Sequence, residues 1–170
     1  RQMCIRDSFI LLIKVFWVNI NYILKFSGHN PKLDPILIGA HYDGPIKSPG
    51  ADDNASGLAA LFALAEHWSN NSPERAIWLV AFDQEEWGML GSKALSKELK
   101  AAGQKLKLMI SLEMLAFTSK KQNYPLPAMK KLFGEKGDFI ALVANTGCAL
   151  MLPQLSSSMG RNVPTKVLPI

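Results

Sequence analysis

Three short, largely apolar runs, each ending in a residue able to carry chemistry, constrain this chain more than any other feature. Ile36 to Ala40 is opened by Pro35 and ends at His41, Ala76 to Phe82 runs into Asp83-Gln84-Glu85-Glu86, and Leu108 to Leu112 delivers Glu113. Runs this short and this apolar read as strands covered on both faces. Between the first two, Leu58, Leu61, Phe62, Ala65 and Trp68 recur at three- and four-residue spacing. That spacing predicts a helix with this face in the core, capped by Asp53 or Asn54, and Ser92 is placed to cap a second helix to about Ala102. Strands alternating with helices predict an α/β fold, a three-layer α/β/α sandwich around a mostly parallel mixed sheet with right-handed crossovers.

The rest of the chain fits around that frame. Val18 to Phe26 alternates as a strand does, and Ser27-Gly28-His29-Asn30-Pro31 has the composition of a turn. Phe139 to Ala144 reads as a strand ahead of a helix, Thr165 to Ile170 as one more strand, and Asn123 to Gly134 as an inserted loop. Residues 1–8, Arg1 to Ser8, resemble a translated sequencing adapter and are set aside, which leaves 9–170 as the front and central part of one domain. The apolar run Phe9 to Val18 is broken by Lys14. It falls short of the ~20 residues a membrane span needs and reads as buried structure leading into a strand.

Charge narrows the partners. The net charge of +5 falls to +4 without residues 1–8 (17 basic against 13 acidic residues), and the lysines Lys93, Lys97, Lys100, Lys105, Lys107, Lys120, Lys121, Lys130, Lys131 and Lys136 lack the aromatic interleaving of a nucleic-acid platform. A solvated surface is the reading, with no nucleic-acid partner. Cys4 lies in the excluded segment, so Cys148 is left alone and forms no internal disulfide.

His41, the Glu85/Glu86 pair and Glu113 each stand at a strand end, where open α/β sheets bind ligands, and Asp52 and Asp53 arrive from the loop before the first helix. Taken singly, these groups are ordinary, since a histidine after a strand is commonly structural and Asp-Asp-Asn before a helix is commonly a cap. Equivalent placement at three strand ends favours one shared cleft. One imidazole with several carboxylates suits zinc better than calcium, which prefers more oxygen donors. Asp43, two residues beyond His41, is placed to accept the other imidazole N–H and so fix the ligand's tautomer.

Gly39-Ala40-His41-Tyr42-Asp43, the loop Pro49 to Gly57, Ala81 to Ser92, and Ile110-Ser111-Leu112-Glu113-Met114 together resemble, in order and spacing, the zinc aminopeptidase family. That family includes bacterial leucyl aminopeptidases, aminopeptidases S and Y, and the glutaminyl cyclases. The resemblance covers roughly Asn19 to Ile170. It implies two zinc ions bridged by Asp53, with His41 and Glu113 completing one site, Glu86 contributing to the other, and Glu85 as general base. It also implies a cis peptide between Asp53 and Asn54, peptide substrates with a free N-terminus, and an extracytoplasmic or secreted location. Glu113 departs from the aspartate of the commonest family pattern, and its extra methylene changes the ligand's reach.

The family's last ligand is a histidine far downstream, whereas after Asp53 this chain has only His67, expected mid-helix and facing solvent. The expectation is therefore a chain that stops before its last ligand and is inactive alone. Two other functions share the motifs: a single-zinc aminoacyl cyclotransferase, and a non-catalytic peptidase-like binding domain. The retained His41, Asp53, Glu85, Glu86 and Glu113 favour the peptidase. Substrate side-chain preference and oligomeric state are not written in these residues.

Overall fold

The structure, a computed structural model, describes residues 9–15, 19–124 and 127–167. The chain divides into two compact units, one ending at Leu115 and the other beginning at Ala116.

The first unit is built on a five-stranded sheet in the order β1-β2-β4-β3-β5: β1 is Phe9–Val15, β2 Asn19–Phe26, β3 Ile36–His41, β4 Ile77–Phe82 and β5 Leu108–Ser111. β3 pairs in parallel with both β4 and β5, while β2 is antiparallel to β1 and β4, so four of the five strands run one way. The reason lies in β4. Its odd residues Ile77 and Leu79 pack with Phe26, Ala40 and Leu61, and its even residues Trp78, Val80 and Phe82 pack with Ile23, Leu37 and Leu95. Period-2 alternation with apolar residues at every position buries both faces, and a helix must then cover each. Helix α1, Gly57–Asn70, brings Leu61 to the first cluster, and α2, Leu90–Ala101, brings Leu95 to the second. The α/β/α layering and mostly parallel mixed sheet read from the sequence are what this unit has.

Four local expectations need correction. Phe62 lies on the solvent side of α1 and is 73% exposed, because a helix resting on a sheet buries a narrow stripe that Leu58, Leu61, Ala65 and Trp68 already fill. Ser92 does not cap α2. The helix starts earlier, after Met89 in a left-handed conformation, and the Ser92 hydroxyl donates to the Met89 carbonyl instead. Between Asn123 and Gly134 the chain is not all loop, since Pro127–Phe133 forms a short helix, α3, with Pro127 at its start, where a missing N–H costs nothing. Finally, α1 begins at Gly57, and before it Ala51–Ser56 makes an irregular turn in which Asp53 (φ −105°, ψ 90°) and Asn54 (φ −135°, ψ 40°) leave helical geometry. The Asp53–Asn54 peptide is cis. Neither residue is a simple cap, although Asn54 Oδ1 accepts the Gly57 N–H.

In the second unit, β6 (Ile140–Leu142) and β7 (Thr165–Val167) pair in parallel around a connection containing a helical turn, Ala149–Met151, and α4, Leu152–Met159. Phe133 packs beside Tyr124 and Phe139, and the Lys166 ammonium sits over Phe139 and donates to the Phe133 carbonyl. All ten lysines named above are exposed, as the charge argument expected. No helix among the described residues is long and apolar enough to cross a membrane. Residues 1–8, 16–18, 125–126 and 168–170, on which parts of the sequence reading fall, lie outside the described residues.

Candidate metal centre

Parallel strands put their carboxyl ends at one edge, and His41 is the last residue of β3, the strand between β4 and β5. The imidazole is 3% exposed. Its Nδ1 lies 3.0 Å from the Asp43 backbone carbonyl, and a carbonyl only accepts, so Nδ1 carries the proton. Nε2 is thereby aimed outward with its lone pair available. Around it stand Asp53 Oδ1 at 3.1 Å and Glu113 Oε1 at 3.3 Å. Donor atoms of His41, Asp53 and Glu113 lie within 4.8 Å of one another, and so do those of His41, Glu85 and Glu86. The sequence-derived set is thus brought together around one imidazole. Asp52 stands outside both groups; its carbonyl accepts the Ser56 hydroxyl. His67 is exposed on the last turn of α1, edge-on to Trp68.

Asp43 does something other than expected. Its backbone, not chiefly its carboxylate, meets the His41 ring, the carboxylate oxygen being farther away at 3.4 Å. The carboxylate instead accepts the backbone N–H groups of Glu85 at 2.9 Å and Glu86 at 3.1 Å, one on each oxygen. Asp43 therefore ties the loop after β3 to the loop after β4. Asp83 anchors the same loop from behind, buried and accepting the N–H groups of Ile20 and Gln84. Gln84 (φ 51°) and Met114 (φ 46°), immediately beside Glu85 and Glu113, are in left-handed conformations that cost a side-chain-bearing residue roughly 1 to 2 kcal/mol. The site's carboxylates are held by loops bent against local preference.

Four carboxylates around one imidazole repel one another. Among the described residues no lysine or arginine forms an ion pair with any of them. Glu113 holds its proton above the usual carboxylate range, first because it is partly buried and then because of Asp53, while His41 pulls the other way. Glu86, though open to solvent, is also pushed up, by slight desolvation and by the charges of Asp53 and Glu85. Burial, the largest influence on His41, lowers it, but the hydrogen bond and charge of Glu113 and the Asp43 carbonyl outweigh that and leave it raised. The raised Glu113 and the raised His41 pull against a simple ion pair. One nitrogen with several carboxylate oxygens is a donor set zinc accepts.

Asn54 was weighed from the sequence only as a helix cap, yet its amide reaches both Leu112 and Glu113. No spacing rule signals such a contact across 59 residues.

Comparison with known proteins agrees with the geometry. YfbL of Escherichia coli K12 is 41% identical over 121 residues, covering 64% of this chain and 38% of YfbL. Among solved structures, the LapA aminopeptidase of Legionella pneumophila matches 98% of this chain and 42% of its own with a TM-score of 0.72 at 19% identity, which speaks for the fold alone. BSAP, a zinc aminopeptidase from Bacillus subtilis, matches at 25% identity over 86% of this chain and 34% of its own, with a TM-score of 0.58. The chain therefore spans about two fifths or less of each of these proteins. The model of peptidase family M28 matches residues 21–153, and with the fold and the cluster at the strand ends this chain belongs to peptidase family M28.

Proposed function

We propose that this chain carries the catalytic centre of a zinc exopeptidase that removes the N-terminal residue of peptides. The observation that carries the reading is the position of His41 Nε2, 3.1 Å from Asp53 and 3.3 Å from Glu113, together with donor atoms of His41, Glu85 and Glu86 within 4.8 Å of one another. His41, Asp53 and Glu113 would hold one zinc ion, and Asp53 with Glu86 would contribute to a second. Bound zinc supplies Lewis acidity and brings the pKa of a bound water down to about 7. The chain's own residues do the rest. Glu85, its N–H fixed on Asp43, takes the proton of the attacking water and hands it to the leaving amine. The zinc aminopeptidase named among the similar structures supports both metal and substrate class.

The test uses the full-length protein. Release of the N-terminal residue from an aminoacyl anilide is compared with release from the same compound N-acetylated, and zinc per chain is measured in parallel. The proposal expects stoichiometric zinc, turnover of the free amine, and loss of both in His41→Ala. A protein that binds no zinc, or one that cleaves both substrates equally, is not this exopeptidase.

A further inference from the structure

Asn54 has the features of a working part rather than of a cap. It is 1% exposed, and all four hydrogen-bonding positions of its amide are used. Nδ2 donates to the Leu112 carbonyl at 2.9 Å and to Glu113 Oε2 at 3.2 Å; Oδ1 accepts from the N–H groups of Gly57 at 3.1 Å and Met114 at 3.4 Å. Three of these partners are backbone, so the amide is locked between the start of α1 and the end of β5. The fourth is the site carboxylate. Gly57 leaves the room for this, since a Cβ there would stand 2.5 Å from Asn54 Oδ1 and 2.8 Å from the Leu112 carbonyl. Asn54 also follows Asp53 directly, so one backbone segment supplies one carboxylate of the site and restrains another.

Glu113 is where such a restraint matters. A glutamate has one more rotatable bond than an aspartate, and a free glutamate carboxylate can present either oxygen, or both, to a cation. Here Oε2 is held by the Asn54 amide while Oε1 faces His41 Nε2. We propose that Asn54 is a positioning residue that assigns one oxygen of Glu113 to the metal and keeps the other on itself, so that Glu113 serves as a single-oxygen ligand. The inference rests on the metal site proposed above. Partners of this kind, bonded to a ligand rather than to the ion, are worth about 10- to 100-fold in metal affinity.

The experiment is a double-mutant cycle on Co²⁺ binding to the full-length protein, read as a dissociation constant by competition with a chelator and as the visible d–d spectrum. Asn54→Ser, Glu113→Asp and the double variant are compared with the parent. Asn54→Ser in the parent is expected to weaken Co²⁺ about 10- to 100-fold and to change the spectrum as Glu113 becomes free to offer both oxygens. With Glu113→Asp, whose shorter carboxylate is withdrawn from Asn54, the same serine substitution is expected to leave affinity and spectrum nearly unchanged. A serine effect of equal size in both backgrounds would show that Asn54 is only a brace for the fold and overturn the proposal. If the serine variants do not fold, Asn54→Asp, which keeps the size of the buried side chain and replaces the donating Nδ2 by an acceptor, takes their place in the cycle: an effect present in the parent and absent with Glu113→Asp supports the assignment, and an equal effect in both backgrounds refutes it. A parent that binds no Co²⁺ refutes the metal site itself, which is a different failure.

Discussion

The two sides of the site are held in opposite ways. On the Asp53–Glu113 side, the side chains themselves are held: by a fully buried amide seated against a glycine with no room for a methyl group, and by an imidazole at the end of a central strand. On the Glu85–Glu86 side, Asp43 holds the backbone, and Glu86 is left exposed. The difference teaches where precision is needed. Side chains gathered from three separate chain segments must be aimed individually, whereas adjacent residues on one loop are aimed together once their backbone is fixed. It also fits the proposed division of labour, in which the Glu85 carboxylate moves protons and is better left free to swing.

The largest expected effect separates these roles. In the full-length protein Glu85→Gln should lower turnover of an aminoacyl anilide by about 100- to 10,000-fold while zinc content stays at the parent level, because only the proton acceptor is lost. Loss of zinc in parallel with rate would make Glu85 a ligand and erase the contrast. Gly57→Ala probes the braced side. The added Cβ meets Asn54 and the Leu112 carbonyl, so destabilisation of about 1 to 3 kcal/mol is expected in chemical denaturation, with metal affinity falling as Asn54 is displaced. A variant as stable as the parent would mean that the packing there is loose.

Asp43→Ala probes the other side. Removing the acceptor of two backbone N–H groups should weaken zinc binding at the site proposed beside Glu86 by about 10- to 100-fold and leave that at His41, Asp53 and Glu113 almost unchanged. An equal loss at both sites would place its main influence on His41, where the sequence first put it.

The smallest effect is one of pH in the metal-free protein. Glu113 and Glu86 are raised above their ordinary value of 4.5 and His41 above 6.5, so each binds its proton more tightly folded than unfolded. Their contribution to stability is complete below those ordinary values and is lost as pH rises through the folded ones. The melting temperature of the metal-free parent, relative to its Glu113→Gln variant, should therefore fall as pH increases from 4.5 toward neutrality. A rise would mean that the pairing with His41 dominates Glu113.

Much of this was legible in the residues. Apolar runs such as Ala76 to Phe82 announce a strand buried on both faces, and a chemical residue at each run's end announces a cleft, because both are consequences of strand geometry alone. What escaped depended on the fold. Phe62 has the spacing of a core residue, and only the width of the packed stripe excludes it. Met89 opens α2 in a left-handed conformation that no cap rule foresees. Asp43 and Asn54 look like a histidine partner and a cap, and their other roles come from residues 42 and 59 positions away that only the sheet brings near.

The most direct test is a crystal of the full-length, zinc-loaded protein measured at the zinc absorption edge. The account predicts an anomalous peak bonded at about 2.0 to 2.2 Å to His41 Nε2 and to carboxylate oxygens of Asp53 and Glu113, with Asp53 reaching a second peak beside Glu86. Stoichiometric zinc found elsewhere, with His41 Nε2 still resting against Asp53 and Glu113, would contradict it.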